Sequence, residues 1–297
     1  MYPRAFHYHR ASSLQEASSM LAQLGDDAKL LAGGQSLIPL MKLRFANPAH
    51  LVDLNFISGT SYIKKGNSTI RFGALSRHVE IEASTLAGTI PILHDCAAGI
   101  ADVQVRNRGT IGGSLAEADP SGDWATVLFT LGAEVRCLSS NGERTVSVSD
   151  FIKDAYTTDL AQDELVSEVE VKIPPKGSGG AYLAFKRSAP VYPTASAAVQ
   201  LTMDGDVCQG AAIALGCVGL TPIRVKDAES FMRGQPLTEK TVASAVEAAR
   251  AAADPQPDMR GSADYKRTLA GALVKRAIDI AVRRARGEQV SAGHIYA

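Results

Sequence analysis

Apolar residues recur at helical spacing near the start of the chain, and polar residues fill the positions between them. The apolar positions are Leu14, Ala17, Leu21 and Leu24, which fall on one face of a helix. Ser13 and Glu16 before this face have the spacing of a capping box, and Gly25 after it is a typical stop signal. The pattern therefore predicts a helix over 13–24.

The same criteria predict the remaining elements of the chain. Short apolar or alternating runs predict strands at 28–32, 51–54, 69–74, 133–138, 143–147, 165–173, 182–186, 195–203 and 210–217. Helical spacing predicts two stretches within 76–101 and helices near 123–131, 225–233, 238–252 and 264–286. Asp204-Gly205-Asp206 is the predicted hairpin turn between the last two strands. Because the later strands and helices come in separate runs, the predicted fold class is α+β rather than a doubly wound sheet.

Length and composition restrict the class of protein. The 297 residues are about twice the usual length of one domain, and Pro174-Pro175-Lys176-Gly177-Ser178-Gly179-Gly180 is the best candidate for a linker. Lys+Arg and Asp+Glu both number 31, which argues against a nucleic-acid-binding protein. No run approaches the roughly 18 apolar residues of a membrane span, and the N-terminus lacks the apolar core of a signal peptide. We expect a cytoplasmic protein without membrane insertion.

The cysteines do not have the spacing of metal ligands. Cys96, Cys137, Cys208 and Cys217 include no C-x2-C pair, which zinc and iron–sulfur sites commonly use. We interpret all four as small buried hydrophobic residues and expect no metal site in this chain.

Two glycine motifs are the strongest candidates for a binding site. Ala32-Gly33-Gly34-Gln35-Ser36-Leu37 and Gly109-Thr110-Ile111-Gly112-Gly113-Ser114 each join adjacent glycines to a hydroxyl. Successive glycine amides can turn inward to bind an anion, although neither motif has the spacing of a dinucleotide or Walker fingerprint. Each motif alone is typical of an ordinary turn, and the second is too glycine-rich to predict a regular element. Together with the acidic stretch Glu117–Asp123 they favour a nucleotide site, with Asp123 either binding hydroxyls or capping a helix.

The longer motifs resemble those of one family. Ala32–Arg44 and Val105–Ala116, with Ala118-Asp119-Pro120, are similar to the medium, FAD-binding subunit of the molybdenum hydroxylases, which include xanthine dehydrogenase and carbon monoxide dehydrogenase. The resemblance implies a two-lobed FAD-binding domain of the vanillyl-alcohol-oxidase (PCMH) type over 1–176, with lobes of about 1–57 and 58–176. It also implies a small C-terminal domain over 177–297 with a three-stranded antiparallel sheet and three helices.

The resemblance further implies an oxidoreductase subunit without a catalytic residue of its own. Electrons would reach its FAD from two [2Fe–2S] clusters in a small subunit and pass to an external acceptor, while a large molybdopterin subunit oxidises the substrate. The assembly would be a heterotrimer, commonly doubled to a heterohexamer. The implied FAD contacts are Lys29, Leu30, Leu31, Ala32, Gly33, Gly34, Gln35, Ser36, Leu37, Ile100, Thr110, Ile111, Gly112, Gly113, Ser114, Asp119, Asp123, Val166, Lys186 and Tyr192.

Within that set, particular roles are implied. Val166 would offer backbone contacts to the flavin edge, and Lys186 would lie near its pyrimidine end, unless Lys186 is an ordinary solvated strand residue. Tyr192 would pack on the ring system. Gln35 and Glu117 stand where relatives often have His, so we expect non-covalent FAD, and Ser114 stands where some relatives have Asn.

Two other functions stay open at this point. One is a free-standing FAD-dependent oxidoreductase of the same fold with its own substrate site, and the other is a scaffold that has lost its flavin. The substrate of the assembled enzyme, whether carbon monoxide, an N-heterocycle, an aldehyde or an aromatic thioester, cannot be read from this chain. The electron acceptor cannot be read from it either.

Overall fold

A computed structural model describes residues 2–293 and the backbone of 295–296. The first lobe is a three-stranded parallel sheet in the order β1-β3-β2, with α1 on one face. Its elements are β1 (His7–Arg10), α1 (Leu14–Leu24), β2 (Ala28–Leu31), α2 (Leu37–Lys42) and β3 (His50–Asp53). Ser13 caps α1 as predicted, by accepting from the Glu16 N–H. Glu16 reaches back one residue further than a capping box requires, to the Ser12 N–H.

The second lobe is a five-stranded antiparallel sheet in the order β4-β5-β10-β6-β7, packed against helices. The strands of this sheet are β4 (Ile63–Lys65), β5 (Thr69–Gly73), β6 (Glu134–Ser139), β7 (Gly142–Ser147) and β10 (Leu165–Lys172), and β8 (Ile152–Asp154) and β9 (Thr157–Thr158) form a separate two-stranded sheet. Its helices are α3 (His78–Ala83), α4 (Pro91–Gly99), α5 (Val103–Arg106), α6 (Ile111–Glu117), α7 (Asp123–Thr130) and α8 (Val148–Phe151). Phe72, Trp124 and Phe151 are fully buried between the layers.

The C-terminal part is a sheet covered by helices. Its strands are β11 (Ser178–Lys186), β12 (Ala195–Asp204), β13 (Val207–Gly216), β14 (Ile223–Arg224), β15 (Gln235–Pro236) and β16 (Ile295–Tyr296). Its helices are α9 (Lys226–Met232), α10 (Glu239–Ala252) and α11 (Ala263–Ala285). The three long strands β11, β12 and β13 are antiparallel, as expected, and the two-residue strands extend the sheet at both edges. The fold class is α+β, as predicted.

The predicted linker is wrong at its C-terminal end. Ser178, Gly179 and Gly180 belong to β11 rather than to a connection. A Cβ at Gly179 would collide with the Ala281 carbonyl oxygen of α11 and lie 2.5 Å from the Ala285 nitrogen. Gly179 therefore lets α11 pack directly on β11, a role that composition alone does not distinguish from flexibility.

The short helices α2, α5 and α8 were not predicted. Each has six or fewer residues, too few to show helical spacing in the sequence. Cys96, Cys137 and Cys208 are buried, as predicted, whereas Cys217 is partly exposed and has a left-handed φ of 63°. Among the described residues, no helix has both the length and the apolar content needed to cross a membrane.

Arg284 joins the C-terminal helix to the second lobe. Its guanidinium forms a bidentate ion pair with Asp95 of α4, at 2.6 and 2.9 Å, and both side chains are buried. It also donates to the carbonyl oxygens of Gly180 at 2.6 Å and of Val290 at 2.7 and 3.0 Å. All five N–H groups of this arginine are thereby used, as a buried charge requires.

We expect Asp95→Ala to destabilise the chain by about 3–5 kcal/mol, because the substitution leaves a buried guanidinium without its carboxylate. Denaturant unfolding of the full chain measures this loss. Arg283→Gln is the matched control, since the Arg283–Glu288 pair is about half exposed and its loss should change stability by less than about 1 kcal/mol. Equal losses of stability in the two variants would contradict the conclusion that the buried Arg284–Asp95 ion pair holds α11 against the second lobe.

Candidate functional site

The first glycine motif presents a row of free backbone donors. It follows the end of β2, and Gly34 has a φ of 73°, which a glycine adopts without strain. The N–H groups of the five residues from Gly33 to Leu37 have no acceptor among the described residues. Such a row of adjacent free amides is the arrangement that binds an anionic group.

The two glycine motifs lie in direct contact. A Cβ at Gly33 would collide with the Arg108 carbonyl oxygen and lie 2.8 Å from the Gly109 Cα. Only a glycine at position 33 allows the backbones to approach this closely. The fold therefore brings together the two motifs that the sequence analysis singled out.

The second motif is not the irregular loop that we predicted. Its residues from Ile111 onward form α6, which Thr110 caps by accepting from the Gly113 N–H at 3.1 Å. The N–H groups of Ile111 and Gly112 donate to the Ser76 and Ala74 carbonyl oxygens. A Cβ at Gly112 would lie 2.6 Å from that of Ala74, so this glycine serves close packing.

The expected row of free amides in the second motif is consequently wrong. The Ser114 N–H is also used, by the Thr110 carbonyl oxygen, and the Ile111 side chain is fully buried in the core. Among the described residues, the Thr110 N–H and the Ser114 hydroxyl have no hydrogen-bond partner. They are the groups that this motif can still offer to a ligand.

Residues that the sequence analysis missed hold the two motifs in place. Asn55 donates to the Ala32 carbonyl oxygen at 2.8 Å, and Arg77 donates to both Asn55 and the Arg108 carbonyl oxygen. His78 accepts from the Trp124 indole at 3.0 Å, and burial lowers the pKa of His78 to about 3, so the ring is a neutral acceptor. None of these residues belongs to a recognisable motif, so no sequence signal marks them.

An acidic and phenolic cluster lies at the C-terminal end of α6 and consists of Glu117, Asp119, Tyr156 and Tyr192. Burial, and then the negative charge of Asp119, raise the pKa of Tyr156, and the same two causes raise the pKa of Tyr192. Burial and the neighbouring Asp119 likewise raise the pKa of Glu117, opposed by Lys29 from β2. Asp119 therefore acts on Tyr192, and Lys29 and Asp119 both act on Glu117, so three of the predicted contacts belong to the surroundings of this cluster.

Arg260 connects this cluster to the C-terminal part. It precedes α11 and donates to the Ser121 hydroxyl at 3.1 Å and to the Pro193 carbonyl oxygen at 2.9 Å. Ser121 follows Asp119, and Pro193 follows Tyr192. One guanidinium thus ties together the two segments that carry predicted contacts.

Lys186 is buried at the boundary between the second lobe and the C-terminal sheet. It is 1% exposed, so the alternative of a solvated strand residue is wrong. Its ammonium donates to the Gly99 carbonyl oxygen at 2.5 Å and lies 3.9 Å from Asp123 Oδ1. One of its three N–H groups is used in the hydrogen bond to Gly99, and the ammonium forms no other hydrogen bond with the described residues.

Asp123 is bound from the C-terminal sheet rather than acting as a cap. Its Oδ1 accepts from the Tyr182 hydroxyl at 2.7 Å, and the N-cap of α7 is Gly122, without a side-chain cap. The alternative of a capping role for Asp123 is therefore wrong. Burial, and then the Asp123 charge, raise the pKa of Tyr182 well above its usual value, so this phenol stays a donor.

The remaining predicted contacts lie around these groups. Ile100 follows Gly99 and packs against the main core, and Leu30 packs against the core of the first lobe. Val166 is buried beside a bulge in β10, where the regular pairing of the strand is interrupted. Tyr192 is 49% exposed, which leaves its ring available.

The donors fit a flavin dinucleotide. Free amides at Gly33–Leu37 suit a pyrophosphate, and the hydroxyl of Ser114 and the carboxylates of the acidic cluster suit polyol hydroxyls. A buried ammonium with unused N–H groups suits the electron-rich end of a flavin.

Comparison with known proteins identifies close relatives. Two protein-family models match the chain. The family described as the FAD binding domain in molybdopterin dehydrogenase matches residues 4–175, and the family described as the CO dehydrogenase flavoprotein C-terminal domain matches residues 180–281. The carbon monoxide dehydrogenase medium chain of Afipia carboxidovorans is 39% identical over 96% of this chain and 100% of its own. Subunit alpha of the 6-hydroxypseudooxynicotine dehydrogenase complex of Paenarthrobacter nicotinovorans is 39% identical over 99% of this chain and 100% of its own.

A solved structure shares the whole architecture. A chain of the carbon monoxide dehydrogenase from Hydrogenophaga pseudoflava, in a form that lacks the Mo-pyranopterin moiety of the molybdenum cofactor, superposes with a TM-score of 0.93. It is 41% identical and covers 96% of this chain and 99% of its own.

We expect Gly33→Ala to lower the FAD content of the purified protein at least about tenfold, because the new methyl group would push the two motifs apart. Absorbance of the bound flavin measures the loss, and circular dichroism checks that the fold persists. Gly88→Ala is the matched control, since a Cβ at Gly88 has open space around it. Normal flavin content in Gly33→Ala would refute the role of the motif contact.

Proposed function

The chain belongs to the FAD-binding medium subunits of the molybdenum hydroxylases, and we propose that it carries electrons within a heterotrimer. Its FAD would accept them from the [2Fe–2S] clusters of a small subunit and pass them to an external acceptor. A large molybdopterin subunit would oxidise the substrate, and the heterotrimer would be doubled to a heterohexamer. The observation that carries the proposal is the contact between the two glycine motifs, which sets a row of free amides beside the second lobe.

The relatives support an electron-carrying role within a complex. Carbon monoxide dehydrogenase and 6-hydroxypseudooxynicotine dehydrogenase act on unlike substrates, yet their medium chain and subunit alpha align with this chain over nearly its full length. A shared subunit in enzymes of different substrates is expected where another subunit selects the substrate. We therefore assign no substrate to this chain.

Each group of the site would have a separate part in holding FAD. The free amides of Gly33–Leu37 bind the pyrophosphate, and Ser114, Asp119 and Asp123 bind hydroxyl groups of the cofactor. Ile100, the Val166 backbone and Tyr192 surround the ring system. Gln35 and Glu117 offer no His for a covalent bond, so the cofactor is held without one. The bound FAD supplies the capacity to take up and release electrons.

Lys186 has the most direct influence on the electron chemistry. Its ammonium is fixed by the Gly99 carbonyl oxygen and the Asp123 carboxylate, and Tyr182 fixes Asp123 in turn. A buried positive charge stabilises a neighbouring group when that group becomes negative. This arrangement would make the bound cofactor a better acceptor for electrons from a partner.

The assembly itself is tested by purification from the native host. The tagged chain should bring down an iron–sulfur protein and a molybdopterin protein in equal amounts, with about one FAD per copy and the mass of a heterohexamer. A flavin-loaded homo-oligomer with its own substrate turnover would instead indicate the free-standing oxidoreductase. Recovery of the chain without any flavin would contradict both functions.

We expect Lys186→Met to lower the flavin midpoint potential of the holoenzyme by ~30 mV or more, equivalent to about 1.4 kcal/mol for two electrons. The fall follows from removing the positive charge that favours the reduced, more negative cofactor. Potentiometric titration measures it. Lys186→Arg keeps the charge and should stay closer to wild type, and Lys172→Met removes an exposed lysine of β10 as a control. An unchanged potential in Lys186→Met would exclude the assigned role.

A further inference from the structure

The connection between β11 and β12 has little support of its own. We name residues 187–194, which form this connection, the β11–β12 loop. Val191 is 41% exposed and Tyr192 is 49% exposed. The Val191 N–H donates to the Ser188 carbonyl oxygen at 3.3 Å, and the two prolines of the loop have no N–H to donate. The shape of this loop therefore depends on contacts with other segments.

Arg260 supplies such a contact from the turn before α11. Its Nη1 atom donates to the Pro193 carbonyl oxygen at 2.9 Å and to the Ser121 hydroxyl at 3.1 Å. Pro193 directly follows Tyr192, and Ser121 donates its N–H to the Asp119 carboxylate at 2.8 Å. One guanidinium nitrogen therefore holds the β11–β12 loop beside the turn that carries Asp119. Hydrogen bonds from a charged group are stronger than those between neutral groups.

Arg260 is itself held in a fixed position. Asp258 and Gly261 exchange two backbone hydrogen bonds of 3.1 Å, and the Arg260 N–H donates to Asp258 Oδ1 at 2.8 Å. Lys266 of α11, which is 4% exposed, forms an ion pair with the same oxygen at 2.9 Å. The Arg260 Nε lies 3.5 Å from the other carboxylate oxygen. The guanidinium is therefore oriented by its own turn, which reduces the entropy lost in holding the loop.

The two segments that Arg260 joins belong to different parts of the candidate site. Under the proposed function, Asp119 binds hydroxyl groups of the cofactor and Tyr192 contacts its ring system. Asp119 also acts on the Tyr192 phenol through its charge. Arg260 donates to the neighbours of both residues, so it acts through them as a positioning residue.

We propose that Arg260 keeps the β11–β12 loop closed over the flavin ring and thereby limits the access of external electron acceptors to it. The inference rests on the proposed function, because that function places the ring beside Tyr192. A loop that covers a reactive group excludes molecules that would otherwise collide with it. A small quinone therefore reaches the covered part of the ring only when the loop opens. There it takes up two electrons, with protons from the flavin and the solvent, and leaves as the hydroquinone.

The first test is Arg260→Met, which keeps an apolar stem and removes the donors. Trypsin should cleave after Arg187, an exposed residue at the start of the loop, at least about tenfold faster, because cleavage follows the population of the open loop. Mass spectrometry of the peptides measures this rate with or without the cofactor. Arg233→Met is the matched control, since Arg233 is exposed after α9 and its loss should leave cleavage after Arg187 unchanged.

The second test measures the exposure of the flavin in the full chain loaded with FAD. Acrylamide should quench the flavin fluorescence of Arg260→Met at least about twofold more efficiently than that of the wild type. Benzoquinone should reoxidise the photoreduced variant several-fold faster, as measured by stopped-flow absorbance. Both probes are neutral, so the lost charge of Arg260 does not by itself change how often they collide with the ring.

Two further variants separate the cover from the contact that holds it. Tyr192→Ala removes the ring that covers the flavin but leaves the bond between Arg260 and Pro193. Quenching by acrylamide should therefore increase in this variant, while cleavage after Arg187 stays at the wild-type rate. Arg260→Lys keeps a charged donor and should give a cleavage rate between those of the wild type and Arg260→Met.

Each result has a distinct meaning. Faster cleavage of Arg260→Met without greater quenching or faster reoxidation shows that the loop does not cover the ring, which overturns the proposal and leaves the proposed function intact. An unchanged cleavage rate shows that other contacts hold the loop, which also overturns it. Loss of FAD from Arg260→Met shows that the loop retains the cofactor instead of controlling access to it, which overturns it as well. If the wild-type chain binds no FAD, the proposed function itself fails.

Discussion

The contact between Gly33 and the backbone of Arg108 and Gly109 is the constraint on which the candidate site depends. It joins segments more than seventy residues apart and tolerates no side chain at position 33. Asn55 and Arg77 hold the contact from one side through hydrogen bonds to carbonyl oxygens. The amides of Gly33–Leu37 have no acceptor among the described residues, so they are free to face a ligand. The site is therefore built from backbone groups whose positions the surrounding packing determines.

The C-terminal part contributes side chains of its own to the candidate site. Lys186 and Tyr182 of β11 reach the Gly99 carbonyl oxygen and Asp123 in the second lobe. Arg284, which uses all five N–H groups, fixes the other end of β11 against α4. The buried ammonium is thus held by the same strand that the ion pair positions. Separating the two parts would expose these charges, so we expect cofactor binding and domain contact to depend on each other.

The sequence by itself determined the α+β class, the long helices and strands, and the two glycine motifs. These features depend on local spacing or on residues adjacent in the chain, which a single sequence displays. The prediction from sequence was wrong at α6 and at Gly179, because in a sequence a glycine that permits close packing cannot be told from one that permits flexibility. It also gave no sign of Asn55, Arg77, His78 or Arg284. Only the tertiary structure decided which amides are free, which charges are buried and which partners they have, because these depend on contacts between residues far apart in the chain.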